Sequence, residues 1–151
     1  MVDSRNNVEN TNYKHVIGQV KLEGMGLSSL IAVGIGGFLG ACARYGFSKG
    51  LSRFTAFPYG TLVSNIVAAF IIGLTIGMSR QSVWLPEQAK LFLTAGLSGG
   101  LSTFSTFSLE TVTMLEQGNY IHAMGNVLLN VCLSIVFVLA GLGVAKLVIK
   151  T

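Results

Sequence analysis

Long uncharged, apolar stretches alternate with short charged segments along the chain. The four stretches that contain no Asp, Glu, Lys or Arg are residues 24–43, 54–79, 91–109 and 117–145. Each is close to or above the roughly 20 residues that a helix needs to cross a bilayer. They are continuously apolar and do not alternate, which excludes a membrane β-barrel. The pattern therefore predicts an all-α membrane protein with four transmembrane helices.

The boundaries of three of these helices follow from charges and from Pro58. Helix one is expected over residues 27–48, helix two over residues 58–78 and helix four over residues 119–148. Glycines four residues apart let helices approach closely, and helices one and two each carry such a pair: Gly36 with Gly40, and Gly73 with Gly77.

Helix three has an unusual composition. Gly96, Gly99 and Gly100 cluster near its middle and are followed by several Ser and Thr residues. Such a run is a poor continuous helix. Unwound backbone at membrane depth is tolerated only where protein or a water-filled cavity surrounds it, and broken helices often mark ion sites. We expect helix three to be broken at this cluster.

Composition supports the membrane assignment. Charged residues make up 11% of the 151 residues, the apolar fraction is 51% and the mean hydropathy is +0.65. Residues 1–24 are polar and lack the apolar core and cleavage site of a signal peptide, which predicts a disordered tail. The remaining residues, 25–151, are expected to form one compact four-helix domain in the cell (inner) membrane.

Outside the tail, Lys and Arg residues are divided almost equally between the two predicted sides of the membrane. With four helices, one side of the membrane carries Arg80, Lys90, Lys146 and Lys150, and the other carries Arg44, Lys49 and Arg53. This balance gives almost no positive-inside bias, so the chain is predicted to insert in both orientations. Two opposed copies would then pair about an axis in the membrane plane. The tail adds Arg5, Lys14 and Lys21 to the first side and weakens the balance.

The break in helix three is the first candidate site. Its carbonyls would be natural cation ligands, and Ser105 and Thr106 add hydroxyls. Phe104 and Phe107 are three residues apart and would share a helix face. The alternative is a tightly packed crossing in which the phenylalanines simply face lipid.

Polar side chains on the other helices form the remaining candidates. Asn126, Asn130 and Ser134 share one face of helix four, where they would either hold the bundle together or form a track of donors for a small anion. Asn65 in helix two is interhelical glue or a pore residue. Two further assignments also stay open: Arg44 is an interface anchor or a positive vestibule, and Glu110 lies at the interface or lines the path.

Enzymatic chemistry has almost no support in the sequence. His15 and His122 have no metal-ligating partner at useful spacing, and no HExxH motif, phosphate-binding loop or CxxC pair is present.

Three segments stand together in chain order: Gly36-Gly-Phe-Leu-Gly-Ala-Cys-Ala-Arg-Tyr45, Gly60-Thr-Leu-Val-Ser-Asn65 and Gly96-Leu-Ser-Gly-Gly-Leu-Ser-Thr-Phe-Ser-Thr-Phe107. Together they closely resemble the Fluc (CrcB) family of fluoride channels, from about Leu27 to the C-terminus. The resemblance implies a passive channel that exports cytoplasmic fluoride and reduces its toxicity. It also implies a dual-topology, antiparallel homodimer with two pores and a structural Na⁺ at the dimer interface.

The resemblance also assigns roles to individual residues. It implies that backbone carbonyls of Gly99 and Ser102 bind the sodium ion. The residues it places along the fluoride pathway are Arg44, Asn65, Phe104, Ser105, Thr106, Phe107, Glu110 and Ser134. Helix four departs from the pattern, because Asn126 and Asn130 stand where relatives have other polar residues; they are nevertheless assigned to the pathway.

The competing function is a small dual-topology multidrug or cation transporter. Such a transporter would want an acidic residue in the middle of helix one, and residues 24–43 contain none. A membrane scaffold that transports nothing is the second alternative. Efflux of fluoride from liposomes, with chloride as the control, distinguishes these functions: only the channel is expected to pass fluoride and reject chloride.

Overall fold

Three long helices dominate the computed structural model, which describes residues 26–53, 57–80 and 85–149. They are α1 (Leu27–Gly50), α2 (Tyr59–Arg80) and α6 (Tyr120–Ile149). Within the described ranges, these three are long and apolar enough to cross a membrane. Their bounds agree closely with those predicted for helices one, two and four. The predicted tail, residues 1–24, lies outside the described residues.

The remaining helical pieces lie within residues 87–116, the region predicted to form helix three, which we call the third span. In chain order they are α3 (Glu87–Leu91), a π-helix (Phe92–Ser98), α4 (Gly99–Leu101) and α5 (Phe104–Glu116). Ser102 and Thr103 between α4 and α5 have extended backbone, with ψ values of 153° and 116°. The predicted interruption is therefore present. Because neither half is a long helix, a fourth membrane crossing stays a prediction.

The interruption does not lie where the glycines predicted it. Gly96 is part of the π-helix, and Gly99 and Gly100 are part of α4, so the glycine cluster is helical. The backbone becomes extended only at Ser102 and Thr103. Gly96 and Gly100 instead allow the close packing of the third span against α1.

Two glycine positions show how close this packing is. A Cβ on Gly40 of α1 would overlap the carbonyl oxygen of Leu97 and lie 2.7 Å from the Leu101 nitrogen. A Cβ on Gly100 would overlap the carbonyl oxygen of Gly37. Backbone cannot yield as a flexible side chain would, so only glycine fits at both positions. The predicted close approach of helix one is confirmed, and its partner is the third span.

A similar contact joins α2 to α6. A Cβ on Gly73 would overlap the carbonyl oxygen of Val138, and one on Gly77 would lie 2.6 Å from the Cβ of Ala145. The glycine pair predicted in helix two is thus also used for helix packing. The α2–α6 contact matters for function because both helices contribute polar side chains to the site described below.

Substitution of Gly40 by alanine is expected to destabilise the folded protein. The added methyl group meets backbone, and overpacking of this kind typically costs about 1–3 kcal/mol. Gly34→Ala is the matched control on the same helix, since nothing lies within 4 Å of the methyl group that this change adds. That change should stabilise the helix by up to about 1 kcal/mol through helix propensity. Thermal unfolding in detergent measures both changes, and an equal shift for the two variants would contradict the packing account.

Candidate functional site

Two backbone N–H groups at the interruption donate to side chains instead of to helix carbonyls. The Thr103 N–H donates to Asn65 Oδ1 of α2 at 2.9 Å. The Thr106 N–H donates to Thr103 Oγ1 at 3.2 Å, so Thr103 is the N-cap of α5. The interruption is therefore stabilised by one bond within the third span and one bond from another helix.

These two diverted donors identify the carbonyls that the interruption releases. In a continuous helix the N–H of Thr103 would bond to the Gly99 carbonyl, and the N–H of Thr106 to the Ser102 carbonyl. Both donors are occupied elsewhere. Gly99 is exposed and Ser102 half-buried in the single chain. Among the described residues, these two carbonyls are thus left without their helical donors.

A chain of asparagine side chains runs from the interruption into the bundle. Asn65 Nδ2 donates to Asn130 Oδ1 at 2.8 Å, and Asn130 Nδ2 donates to both the backbone carbonyl and Oδ1 of Asn126, at 3.0 and 2.9 Å. Asn126 Nδ2 then donates to Thr111 Oγ1 at 2.9 Å, which in turn donates to the Phe107 carbonyl. We call Asn65, Asn130, Asn126 and Thr111 the asparagine relay. It joins α2, α6 and α5.

A cleft of about 320 Å³ lies beside the interruption. Five of the predicted pathway residues line it together: Asn65, Phe104, Phe107, Asn130 and Ser134. Ser102 and Thr103 also line it, and aliphatic side chains of α2 and α6 complete the wall. The cleft therefore combines a few neutral hydrogen-bonding groups with a mostly apolar surface.

The two phenylalanines contact each other on the cleft wall. Their ring centroids are 5.5 Å apart and the planes are tilted by 49°. Phe104 is 80% exposed in the single chain, whereas Phe107 is partly buried. The predicted shared face is confirmed. In a tilted pair the edge of one ring, the positive part of its quadrupole, approaches the face of the other ring.

Ser105 and Thr106 gather at the N-cap of α5. Thr103 Oγ1 lies 3.0 Å from Thr106 Oγ1 and 3.3 Å from Ser105 Oγ. The three hydroxyls thus form one cluster at the interruption. Neither Ser105 nor Thr106 is among the residues that line the cleft.

Glu110 lies one turn further along α5, in a second cavity of about 480 Å³. Its Oε1 accepts a 2.7 Å hydrogen bond from Thr61 of α2, and its Oε2 is buried without a hydrogen-bond partner among the described residues. On α2, Thr61 of the second cavity lies one turn before Asn65 of the cleft. On α5, Glu110 of the second cavity lies one turn after Phe107 of the cleft. The same two helices therefore line both cavities, one turn apart.

Arg44 touches the third span rather than either cavity. Its Nε donates to the Gly100 carbonyl at 3.2 Å. A guanidinium at the C-terminal end of α4 is favourable because the last carbonyls of a helix carry partial negative charge. Arg44 thus lies beside the released carbonyls of the interruption.

Three threonines that contribute to the site were not singled out from the sequence. Thr103 is the N-cap of α5, Thr61 donates a hydrogen bond to Glu110, and Thr111 accepts one from Asn126. A capping signal for Thr103 was available, because a threonine that directly precedes a helical segment is a preferred N-cap. Thr61 and Thr111 have partners on other helices, and spacing along the chain does not reveal such pairs.

Comparison with known proteins agrees with this geometry. The family model described as "CrcB-like protein, Camphor Resistance (CrcB)" matches residues 31–142. A protein named "Fluoride-specific ion channel FluC" from Clostridium perfringens is 44% identical over 119 residues, which cover 78% of this chain and 93% of the relative. Proteins of the same name from Clostridium novyi and Pyrococcus abyssi are 45% and 42% identical, over 78% and 81% of this chain and 94% and 99% of theirs. The chain therefore belongs to the CrcB family.

Proposed function

We propose that the protein is a passive, fluoride-specific ion channel that exports cytoplasmic fluoride and so reduces its toxicity. The observation that carries this function is the extensive identity to bacterial and archaeal relatives named as fluoride-specific channels. The match covers the helices that build the cleft and the interruption.

The chemistry of the cleft suits a small anion. Fluoride holds its hydration water strongly, so a pore must replace that water with hydrogen-bond donors or positive ring edges. Asn65 and Ser134 are neutral, and the rings of Phe104 and Phe107 lie beside them. A full positive charge inside would bind the ion too tightly to release it, whereas neutral groups allow both entry and exit.

The route continues from the cleft to the second cavity. Asn65 and Phe107 line the cleft, and Thr61 and Glu110 line the second cavity one turn away. The hydrogen bond between Thr61 and Glu110 joins α2 to α5 at that point. Fluoride moving between the two cavities would therefore pass both the phenylalanine pair and the carboxylate.

Fluoride efflux from liposomes tests the function directly. Purified protein in fluoride-loaded vesicles should release the anion down its gradient without ATP or a proton gradient. The same vesicles loaded with chloride are the control, and they should retain their content. Comparable fluoride and chloride fluxes, or no fluoride flux at all, would overturn the proposal.

The working unit we propose is an antiparallel homodimer in the cell (inner) membrane, with all four spans crossing. Much of the outer surface of α1 and α6 is exposed and apolar in the single chain, as at Ile35, Phe38, Ile135 and Leu139. Such a surface suits lipid and a second copy of the chain. The near balance of positive charge outside the tail supports insertion in both orientations.

A single engineered cysteine is expected to be accessible from both sides of the membrane. Glu116, exposed at the C-terminal end of α5, is a suitable position in a Cys42→Ser, Cys132→Ser background, because both native cysteines are exposed. About half of the Glu116→Cys label should be blocked by an impermeant reagent before permeabilisation. Complete protection or complete blocking would show a single orientation. If a single orientation is found, removal of residues 1–23 tests whether the positive charges of the tail determine that orientation.

The interruption of the third span fits a structural sodium ion. Gly99 and Ser102 carbonyls have lost their helical donors to side chains, and hydrocarbon offers no replacement. The same carbonyls from an opposed copy would complete a small oxygen cage on the dimer axis. A bound Na⁺ would supply the positive charge that keeps these converging dipoles together. Arg44 donates to the neighbouring Gly100 carbonyl, and among the described residues it makes no hydrogen bond to those of Gly99 and Ser102.

Depletion of sodium is expected to weaken the dimer as well as to lower flux. A ligand that binds only the folded dimer stabilises it in proportion to the logarithm of its concentration, so the thermal midpoint should rise with Na⁺. Choline at equal ionic strength is the control for general salt effects. A midpoint and a fluoride flux that are identical in Na⁺ and choline would contradict a sodium site.

A further inference from the structure

Backbone groups at the two ends of the Asn65–Asn130 pair determine which way each of these amides faces. At one end the Thr103 N–H can only donate, so the group of Asn65 that faces it at 2.9 Å is the oxygen. At the other end the Asn126 backbone carbonyl can only accept, so the group of Asn130 that faces it at 3.0 Å is the NH₂. Between them, Asn65 must present NH₂ to the oxygen of Asn130, as observed. Backbone groups thus orient both side chains without ambiguity.

A count of hydrogens then separates the two asparagines that line the cleft. Asn130 is 5% exposed, and its NH₂ group has two acceptors within bonding distance, the carbonyl oxygen and Oδ1 of Asn126. Both of its hydrogens are therefore used. Asn65 uses one amide hydrogen on Asn130, and its second has no acceptor among the described residues. Of the two cleft asparagines, only Asn65 has a hydrogen available for an anion.

Asn126 lies behind this pair. Its side chain is fully buried and is not part of the cleft wall. Its Oδ1 accepts from Asn130 and its Nδ2 donates to Thr111, whose own hydrogen goes to the Phe107 carbonyl. Asn126 is thus positioned by its hydrogen bond to Thr111 of α5, and it positions Asn130 by accepting a hydrogen bond from it.

We propose that Asn126 and Asn130 are positioning residues that hold the Asn65 amide with one hydrogen free for the anion, and that neither binds the anion itself. This inference rests on the proposed fluoride function and specifies its recognition site. The sequence predicted a track of donors along the polar face of α6. On that face, Ser134 lines the cleft and its hydroxyl makes no hydrogen bond among the described residues, so Ser134 is the one member of the face whose donor is available there.

A double-mutant cycle on fluoride efflux tests the proposal. Asn65→Ser and Asn130→Leu should each lower the flux per folded dimer by about tenfold, the loss expected when a buried hydrogen bond is broken. If Asn130 acts through Asn65, the double variant should also lose about tenfold. Independent contacts would instead multiply to about 100-fold. Asn126→Leu keeps the backbone carbonyl that anchors Asn130, so its loss should be smaller, and it replaces Asn130→Leu if that variant does not fold.

Ser134→Ala is the matched control on the same helix and the same cleft. It makes no relay bond, so its effect should multiply with that of Asn65→Ser. If the losses of Asn65→Ser and Asn130→Leu multiply in the double variant, the positioning role is wrong. It is also wrong if Asn130→Leu lowers the thermal midpoint but leaves the flux per folded dimer unchanged. Wild-type vesicles that release no fluoride would instead refute the proposed function, which keeps the two failures apart.

Discussion

Asn65→Leu is expected to remove almost all fluoride flux, by about 100-fold or more. Leucine has nearly the same size but deprives the Thr103 N–H of its acceptor and Asn130 Oδ1 of its donor. Each buried group left without a partner costs about a factor of ten. The interruption of the third span and the relay therefore fail together. Efflux per folded dimer and the thermal midpoint should both fall.

Asn65→Asp separates the two roles of this side chain. A carboxylate still accepts from the Thr103 N–H, so the interruption should persist and the thermal midpoint should fall less than in Asn65→Leu. It cannot donate to Asn130 or to an anion, and its charge repels fluoride, so flux should remain very low. Wild-type flux in either variant would contradict the place given to Asn65.

Phe104→Ile and Phe107→Ile are each expected to lower fluoride flux by about tenfold while the dimer remains intact. The two rings contact at 5.5 Å on the cleft wall, and isoleucine keeps apolar bulk but has no positive ring edge. Aromatic contacts contribute up to about 1.5 kcal/mol, which corresponds to roughly tenfold. Because Phe104 is largely exposed, its replacement should leave the fold of the single chain unchanged.

Phe38→Ile is the matched control for the phenylalanine pair. Phe38 is 69% exposed on α1 and is not part of the cleft wall. Its replacement should leave fluoride flux close to that of the wild type. If all three variants conduct equally well, the phenylalanines of the third span serve only to fill space.

The helices that the sequence predicts well are those with long uncharged stretches. α1, α2 and α6 begin and end near the charges and the proline that bound those stretches, because a charged side chain is costly inside a bilayer. The third span shows where such reasoning fails. Glycine has low intrinsic helix propensity, yet Gly100 lies in a helix. A glycine is needed at this position because a residue with a Cβ could not lie against Gly37 of α1.

The candidate site shows a similar division. Spacing alone placed Asn126 and Asn130 on one face, and the structure confirms that they are neighbours. It could not show that Asn65 reaches Asn130 across 65 positions of sequence, or that Thr111 closes the far end. The same limit applies to Arg44 and the Gly100 carbonyl. Partners on different helices are determined by how the helices pack, and this information is spread over many small residues.

The interruption of the third span has a consequence for the order of assembly. Its key acceptor, Asn65 Oδ1, belongs to a helix 38 positions earlier in the chain. Before α2 is in place, the Thr103 N–H has no better acceptor in the membrane than the Gly99 carbonyl, because hydrocarbon offers none. The newly inserted third span should therefore be helical through residues 99–106 and should open only when α2 docks. Docking exchanges a local bond for a distant one, so the site forms as a late step of folding.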